Sequence, residues 1–155
     1  MERVTRCQGV VLQDNHILVA RQYNDKRQEE YWLLPGGSLE EGESEEVCIL
    51  RELKEEANLE AEIVSVLFDE PGNGGDTYKR YVTFLCRPLG PESPGAETAS
   101  HRKILELIWC SLDEEDRWNE YLLKEQFYPS MRRIRDKIRQ LRGEKHENAQ
   151  RKGNV

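Results

Sequence analysis

Apolar runs separated by turn residues predict a series of β-strands around one long helical segment. Asp14-Asn15 is a turn signal between two of these runs, so residues 4–12 and 16–22 are predicted to form a β-hairpin. Charged residues at 24–30 predict a solvated loop. Further strands are predicted at residues 31–34, 61–68, 78–86 and 104–110.

The segment from residue 44 to residue 58 is predicted to be a helix. Ser44 can cap its first free N–H groups, and Glu45 and Glu46 lie in the positive first turn. Asn58 tolerates the left-handed conformation that is common just past a helix C-terminus. The segment therefore has a defined start and a defined end.

The helical wheel of this segment predicts one carboxylate face and one apolar face. At 100° per residue, four carboxylates fall within about 100° of one another: Glu45, Glu52, Glu55 and Glu56. The apolar face, predicted to pack on a sheet, consists of Val47, Leu50, Leu53 and Ala57. Arg51 lies one turn before Glu55 and can hold that side chain in place. We therefore expect an open carboxylate face.

The C-terminal third is less regular. Residues 88–100 are rich in Pro, Gly, Ser and Glu and predict a mobile excursion, and residues 111–115 predict a helix start. A final amphipathic helix from residue 130 is predicted from the spacing of Met131, Ile134, Ile138 and Leu141. We assign residues 1–143 to one domain and residues 144–155 to a flexible basic tail.

Length and charge narrow the class of protein. The chain of 155 residues fits a single domain. Its net charge is -7, but residues 131–155 alone carry nine basic and three acidic side chains, so the rest is strongly acidic and nucleic acid is an unlikely partner. Apolar runs are too short to cross a membrane, and the N-terminus lacks an apolar leader, so we expect a cytoplasmic location.

The four cysteines carry no metal or disulfide signal. Cys7, Cys48, Cys86 and Cys110 lie far apart without a CxxC pair. We therefore expect ordinary half-buried thiols.

Clustered glutamates beside the Pro35-Gly36-Gly37 turn indicate a candidate site. Oxygen ligands with surplus negative charge suit Mg²⁺, Mn²⁺ or Ca²⁺. A glycine turn next to such ligands is a reasonable place for phosphate chemistry. The alternative is a solvated helix face with no ligand.

The order of these residues is more specific than their composition. Gly37 is followed after five residues by Glu43, and after seven more by Arg51-Glu52-Leu53-Lys54-Glu55-Glu56-Ala57-Asn58-Leu59. This order closely resembles the signature of the Nudix hydrolases, G-x5-E-x7-R-E-U-x-E-E-x-G-U, where U is a bulky aliphatic residue. Eight of nine specified positions match, and Asn58 replaces the late glycine. Two flanking segments also resemble the family: Leu34-Pro35-Gly36 and Glu40-Glu41-Gly42.

The resemblance implies an α/β fold, an α/β/α sandwich around a mixed β-sheet. It also implies that water cleaves a phosphoanhydride bond in a nucleoside diphosphate linked to another moiety, with Mg²⁺ or Mn²⁺ as cofactor. ADP-ribose, a nucleotide sugar and a nucleoside triphosphate all fit that description. Nudix proteins often form dimers, so the sequence leaves the choice between a monomer and a homodimer open.

The resemblance also implies residue roles. The metal ligands are Glu52, Glu55, Glu56 and the backbone carbonyl of Gly36. Arg51 is expected to orient Glu55 or Glu43, and Glu43 to brace the loop against the helix beside Gly37, a structural position of the motif. Either Glu55 or Glu52 is the general base.

One family feature is missing. Many relatives carry a further acid in the loop before the tryptophan that corresponds to Trp109, but Lys103 stands there in this chain. Glu97 and Glu106 are the nearest acids, and neither is assigned the role.

Substrate contacts are expected outside the motif. Tyr31 and Trp32 could stack on a base, or be core or rim aromatics. Tyr78 and Arg80 could flank a ligand, although strand residues with one exposed face look the same.

Two other classes of function stay open. Asn58 and Lys103 favour a non-catalytic nucleotide-binding sensor on the same fold. A weaker alternative is a scaffold whose basic C-terminal helix recruits a partner.

Overall fold

The computed structural model describes residues 4–25, 27–72, 78–95, 102–121 and 127–153. Within these ranges the chain forms seven strands and three helices. In chain order they are β1 (Thr5–Gln13), β2 (His16–Asn24), β3 (Glu29–Leu33), β4 (Gly36–Ser38), α1 (Glu45–Ala57), β5 (Ala61–Pro71), β6 (Arg80–Pro88), β7 (Arg102–Ser111), α2 (Glu115–Tyr121) and α3 (Met131–Gly153).

Strand β1 organises a mixed sheet. It runs parallel to β6 and antiparallel to β2 and to the short β4. The strand order is β3-β2-β1-β6-β5, with β4 paired to β1 and β7 paired to β2. The predicted hairpin is confirmed by the pairing of Leu12 with Ile17 and of Gln13 with His16.

Two hydrophobic clusters lie on the two faces of the sheet, one under each long helix. The first cluster joins Met131, Ile134 and Ile138 of α3 to alternate residues of β1 and β2, among them Val10 and Val19. The second cluster joins four residues of α1 to the opposite face of the same strands: Cys48, Ile49, Leu53 and Ala57. Period-two alternation explains this division, since neighbouring strand residues point to opposite faces. The predicted α/β/α sandwich with a C-terminal amphipathic helix is confirmed.

The apolar face predicted for α1 is half wrong. Leu53 and Ala57 are buried as expected, but Val47 and Leu50 are exposed. Cys48 and Ile49 fill the core instead. The buried side of the helix is therefore centred about a quarter-turn away from the predicted stripe, near the angular position of the glutamates.

Other differences concern short or irregular segments. Glu29 and Glu30, predicted as loop, belong to β3, and the glycine turn forms β4 by pairing with β1. Residues 91–95 of the predicted excursion are hydrogen-bonded to α1, and residues 96–100 lie outside the described part of the chain. Helix α3 continues to Gly153, past the predicted start of the tail, whereas the domain division itself stays a prediction.

The cysteines are more deeply buried than expected. All four cysteines are free, but they are fully buried rather than half-buried. Burial raises the pKa of Cys86 to about 12 and that of Cys110 to about 11, which keeps both protonated.

Among the described residues, no helix combines the length and apolar character that a membrane crossing requires.

Candidate active site

Helix α1 has a defined start and end. The Ser44 hydroxyl accepts a hydrogen bond from the backbone N–H of Val47 at 3.1 Å, as the sequence predicts. Asn58 ends the helix in the left-handed conformation, with φ at 49°. These two caps fix which residues occupy the turns between them.

Arg51 is the centre of the hydrogen-bond network on α1. Its guanidinium donates to Glu43 at 2.6 and 3.0 Å, to Glu52 at 2.9 Å and to Glu55 at 3.3 Å. It also donates to the backbone carbonyl of Ser38 at 3.3 Å. The resemblance left open whether Arg51 orients Glu43 or Glu55, and the structure places it against both.

The electrostatics follow from these contacts. Hydrogen bonds from Arg51 hold the pKa of Glu43 down at about 2, and the Glu43 carboxylate raises the pKa of Arg51 in return. Burial raises the pKa of Glu52, although Arg51 opposes that shift. The site therefore contains one firmly ionised carboxylate and one for which charge is costly.

Strand β4 lies directly against the glutamates. The backbone N–H of Gly36 donates to Glu56 at 3.0 Å. A Cβ on Gly37 would lie 2.3 Å from Glu52 Oε1, so only glycine leaves room for that carboxylate. Glu52 is 8% exposed and Glu56 is 2% exposed. The predicted open carboxylate face is therefore wrong for these two residues, because the glycine strand covers them.

Glu55 differs from its two neighbours. Its side chain is 48% exposed, while Arg51 still contacts it. It is thus the member of the predicted ligand set that bulk water reaches most easily.

The donor chemistry of this set fits a hard divalent cation. Three carboxylates and a glycine carbonyl supply oxygen ligands only, which suits Mg²⁺ or Mn²⁺. Among the described residues, no three acidic, imidazole or thiol groups already converge as a metal site. Glu52 accepts a hydrogen bond from Arg51, and Glu56 accepts one from the Gly36 N–H.

The expected substrate contacts do not all gather at the glutamates. Trp32 packs against the α3-side cluster, and the Tyr31 hydroxyl bonds Glu29 at the edge of the sheet. Tyr78 is buried, with its hydroxyl 3.0 Å from Ser38 Oγ beside β4.

Arg80 is occupied by acidic side chains. Its guanidinium pairs with Asp69 at 2.8 Å and with Glu45 at 3.1 Å. Arg80 thus connects β5 and β6 to the first turn of α1.

Glu106, one candidate for the missing acid, and Lys103 both lie on β7. Glu106 pairs with Arg21 at 3.2 Å on the β2–β7 ladder, and Lys103 is exposed on β7. Glu97 lies outside the described residues.

The sequence did not predict the buried arginine on β1 that lies opposite Ser38 of the glycine strand. Arg6 is 4% exposed and donates to the Leu34 carbonyl at 2.9 Å and to Gln8 at 3.2 Å. It braces the turn that leads into β4, and its charge favours the ionised form of Glu52. Arginines are rarely buried unless they are paired. The strand-like run around Arg6 shows no such partner, so the sequence offered no reason to expect its burial.

Comparison with known proteins gives a consistent result. A family model described as NUDIX domain matches residues 4–133. An ADP-ribose pyrophosphatase of Methanocaldococcus jannaschii is 28% identical over 101 residues, which cover 64% of this chain and 59% of that protein. The chain thus spans less than two thirds of the length of this relative.

Solved structures show the same architecture. An ADP-ribose pyrophosphatase from Streptococcus suis is 25% identical with a TM-score of 0.57, over 72% of this chain and 75% of its own. A NUDIX hydrolase from Nitrosomonas europaea reaches a TM-score of 0.66 at 20% identity, over 87% of this chain and 69% of its own. At that identity the second likeness concerns the fold alone.

Proposed function

The chain belongs to the NUDIX domain family, and from this premise we propose that it is a divalent-metal-dependent pyrophosphohydrolase. Its substrate is a nucleoside diphosphate linked to another moiety. The proposal is carried by one observation: Arg51 gathers Glu43, Glu52 and Glu55 beside the glycine strand that contacts Glu56.

The glutamates of α1 and the Gly36 carbonyl would hold the cation. When bound, Mg²⁺ or Mn²⁺ neutralises phosphate charge and lowers the pKa of a coordinated water. Arg51 keeps Glu52 and Glu55 near one another despite their like charges, and Glu43 keeps Arg51 in place. Because Glu52 is costly to ionise in its buried position, a nearby cation would stabilise its charged form.

Two glutamates qualify as the general base. The base takes a proton from the attacking water, the water oxygen bonds to phosphorus, and the bridging P–O bond breaks with its electrons going to the departing phosphate. Glu55 is the more accessible to water, whereas Glu52 has the raised pKa that suits a base. Comparing the pH profiles of Glu52→Gln and Glu55→Gln would separate them, because loss of the base removes the acidic limb.

The names of two relatives suggest the first substrate to test. The proteins from Methanocaldococcus jannaschii and Streptococcus suis are ADP-ribose pyrophosphatases, so ADP-ribose comes before nucleotide sugars and nucleoside triphosphates. The homodimer and the cytoplasmic location stay predictions.

The test is product release from these nucleotides with Mg²⁺, with Mn²⁺ and with chelator. Glu56→Gln should lower kcat by about 10² to 10⁴, as expected for loss of a metal ligand or base. Glu46→Gln is the matched control, because Glu46 is an exposed glutamate on the same helix. Undiminished turnover by Glu56→Gln would contradict the proposal, and metal-dependent nucleotide binding without product would favour the sensor.

A further inference from the structure

Asn58, the one departure from the family signature, reaches from the end of α1 to a separate loop. Its side-chain NH₂ group lies 3.3 Å from the Ser93 carbonyl, 3.0 Å from Ser93 Oγ and 3.2 Å from the Pro94 carbonyl. Two N–H donors are thus shared among three oxygen acceptors. A glycine at this position could adopt the same left-handed backbone but would make none of these bonds.

The loop that Asn58 contacts, residues 91–95, is hereafter the crossing loop. Its backbone docks on the last turn of α1: the Ser93 N–H donates to the Ala57 carbonyl and the Gly95 N–H to the Glu56 carbonyl, both at 2.8 Å. The last carbonyls of a helix lack intrahelical partners, so the crossing loop satisfies two of them.

The approach of the crossing loop to α1 is close. A Cβ on Gly95 would lie 1.8 Å from the backbone carbonyl oxygen of Glu55, which no side chain could share. At the other end of the loop, Glu92 accepts a hydrogen bond from the Trp109 indole at 2.9 Å. The crossing loop therefore connects β7 to the turn of α1 that carries Glu55 and Glu56.

We propose that Asn58 is a positioning residue that clamps the crossing loop onto the last turn of α1 and thereby fixes Glu55 and Glu56. The clamp rests on the proposed function for its effect on the metal site. The clamp itself consists of the hydrogen bonds that Asn58 and the last turn of α1 make with the crossing loop. Its two parts can therefore fail separately.

The test compares Asn58→Gly with the wild-type full chain. The substitution keeps a residue suited to positive φ and removes only the amide. Asn15→Gly is the matched control, because Asn15 is a second asparagine with positive φ, in the β1–β2 turn. Asn58→Asp is the second variant, because a carboxylate of the same shape cannot donate to the carbonyls of the loop.

Three readouts are needed: amide hydrogen exchange at Ser93 and Gly95, Mn²⁺ affinity by calorimetry, and kcat with KM. We expect exchange at both amides to rise about tenfold in Asn58→Gly, as for loss of about one net hydrogen bond. Mn²⁺ affinity should fall about tenfold, with more effect on kcat than on the substrate KM. Asn58→Asp should show the same changes or larger ones, and Asn15→Gly none of them.

The results separate the two proposals. Unchanged exchange at Ser93 and Gly95 would overturn the clamp. Faster exchange with unchanged Mn²⁺ affinity would overturn the positioning role. If the wild-type protein hydrolyses no nucleotide, the proposed function is wrong. Hydrogen exchange and Mn²⁺ affinity still test the clamp in that case.

Discussion

The two long helices that cover the sheet use charge in opposite ways. On α1, Glu52 and Glu56 are buried against the glycine strand. Arg51 donates a hydrogen bond to Glu52, and the Gly36 N–H of β4 donates one to Glu56. On residues 131–143 of α3, the fully buried side chains are apolar, and the charged side chains are exposed or half-buried. Among the described residues, α3 forms ion pairs with other parts of the chain: Arg132 and Arg135 with Glu115, Arg133 with Glu70, and Arg139 with Asp113.

This difference separates the helix that carries the proposed metal ligands from a helix that packs through an apolar side. Burying a carboxylate costs free energy unless hydrogen bonds or a cation offset the loss of hydration. Exposed ion pairs cost little and contribute little. Several basic side chains of α3 are paired with acids elsewhere in the chain.

The largest expected effect on stability comes from the α3 side. Ile134 is fully buried, so Ile134→Ala should lower the free energy of unfolding by about 3 kcal/mol through lost burial and a cavity. Activity per folded molecule should stay within about twofold, because Ile134 lies in the cluster remote from the glutamates. Urea denaturation and kcat/KM measure the two effects. Ile63→Ala, at a half-buried isoleucine, should cost clearly less; an equal cost would argue against the cavity explanation.

Arg51→Met should affect both stability and activity. Without the guanidinium, Glu43 and Glu52 lose their cationic partner, so the free energy of unfolding should fall by about 2 kcal/mol. The kcat should fall at least about a hundredfold, because the carboxylates lose their orientation. The same measurements on Arg139→Met, at an exposed ion pair, should show a loss under about 0.5 kcal/mol and normal turnover. Equal losses in the two variants would remove the contrast between the helices.

Gly37→Ala should affect activity more than stability. The added Cβ would collide with the Glu52 carboxylate, which can move but then leaves its contact with Arg51. We expect kcat/KM to fall about tenfold and the free energy of unfolding by about 1 kcal/mol. Gly90→Ala is the matched control, since a Cβ there meets no atom within 4 Å. A normal Gly37→Ala enzyme would show that β4 does not determine the position of Glu52.

Lowering the pH should reduce the free energy of unfolding, because Glu43 on the α1 side becomes protonated. Its pKa is about 2 in the folded protein against an ordinary 4.5, so its stabilisation is present above pH 4.5 and is lost as the pH falls toward 2. Glu43→Gln should therefore be less stable than wild type by about 1 kcal/mol near neutral pH, after allowance for solvent screening. Urea denaturation at several pH values should show this difference shrinking between pH 4.5 and 2. A difference independent of pH in that range would contradict the prediction.

Much of the fold could be read from local pattern. The strands, the hairpin, the caps of α1 and the apolar spacing of α3 each depend on neighbouring residues, so the sequence predicted them. The bounds of β3, the pairing of β4 and the docking of residues 91–95 depend on partners far along the chain, and the sequence missed them.

By itself the sequence determined which residues could form the site, because the order of Gly37, Glu43, Arg51 and the three glutamates is contained in one short segment. Only the tertiary structure decided which of those carboxylates are buried. A helical wheel gives angles between side chains, but the direction of the core depends on what packs against the helix. Here the glycine strand lies over Glu52 and Glu56, Arg6 of the neighbouring strand β1 braces the turn before it, and the crossing loop contacts the end of α1 at Asn58.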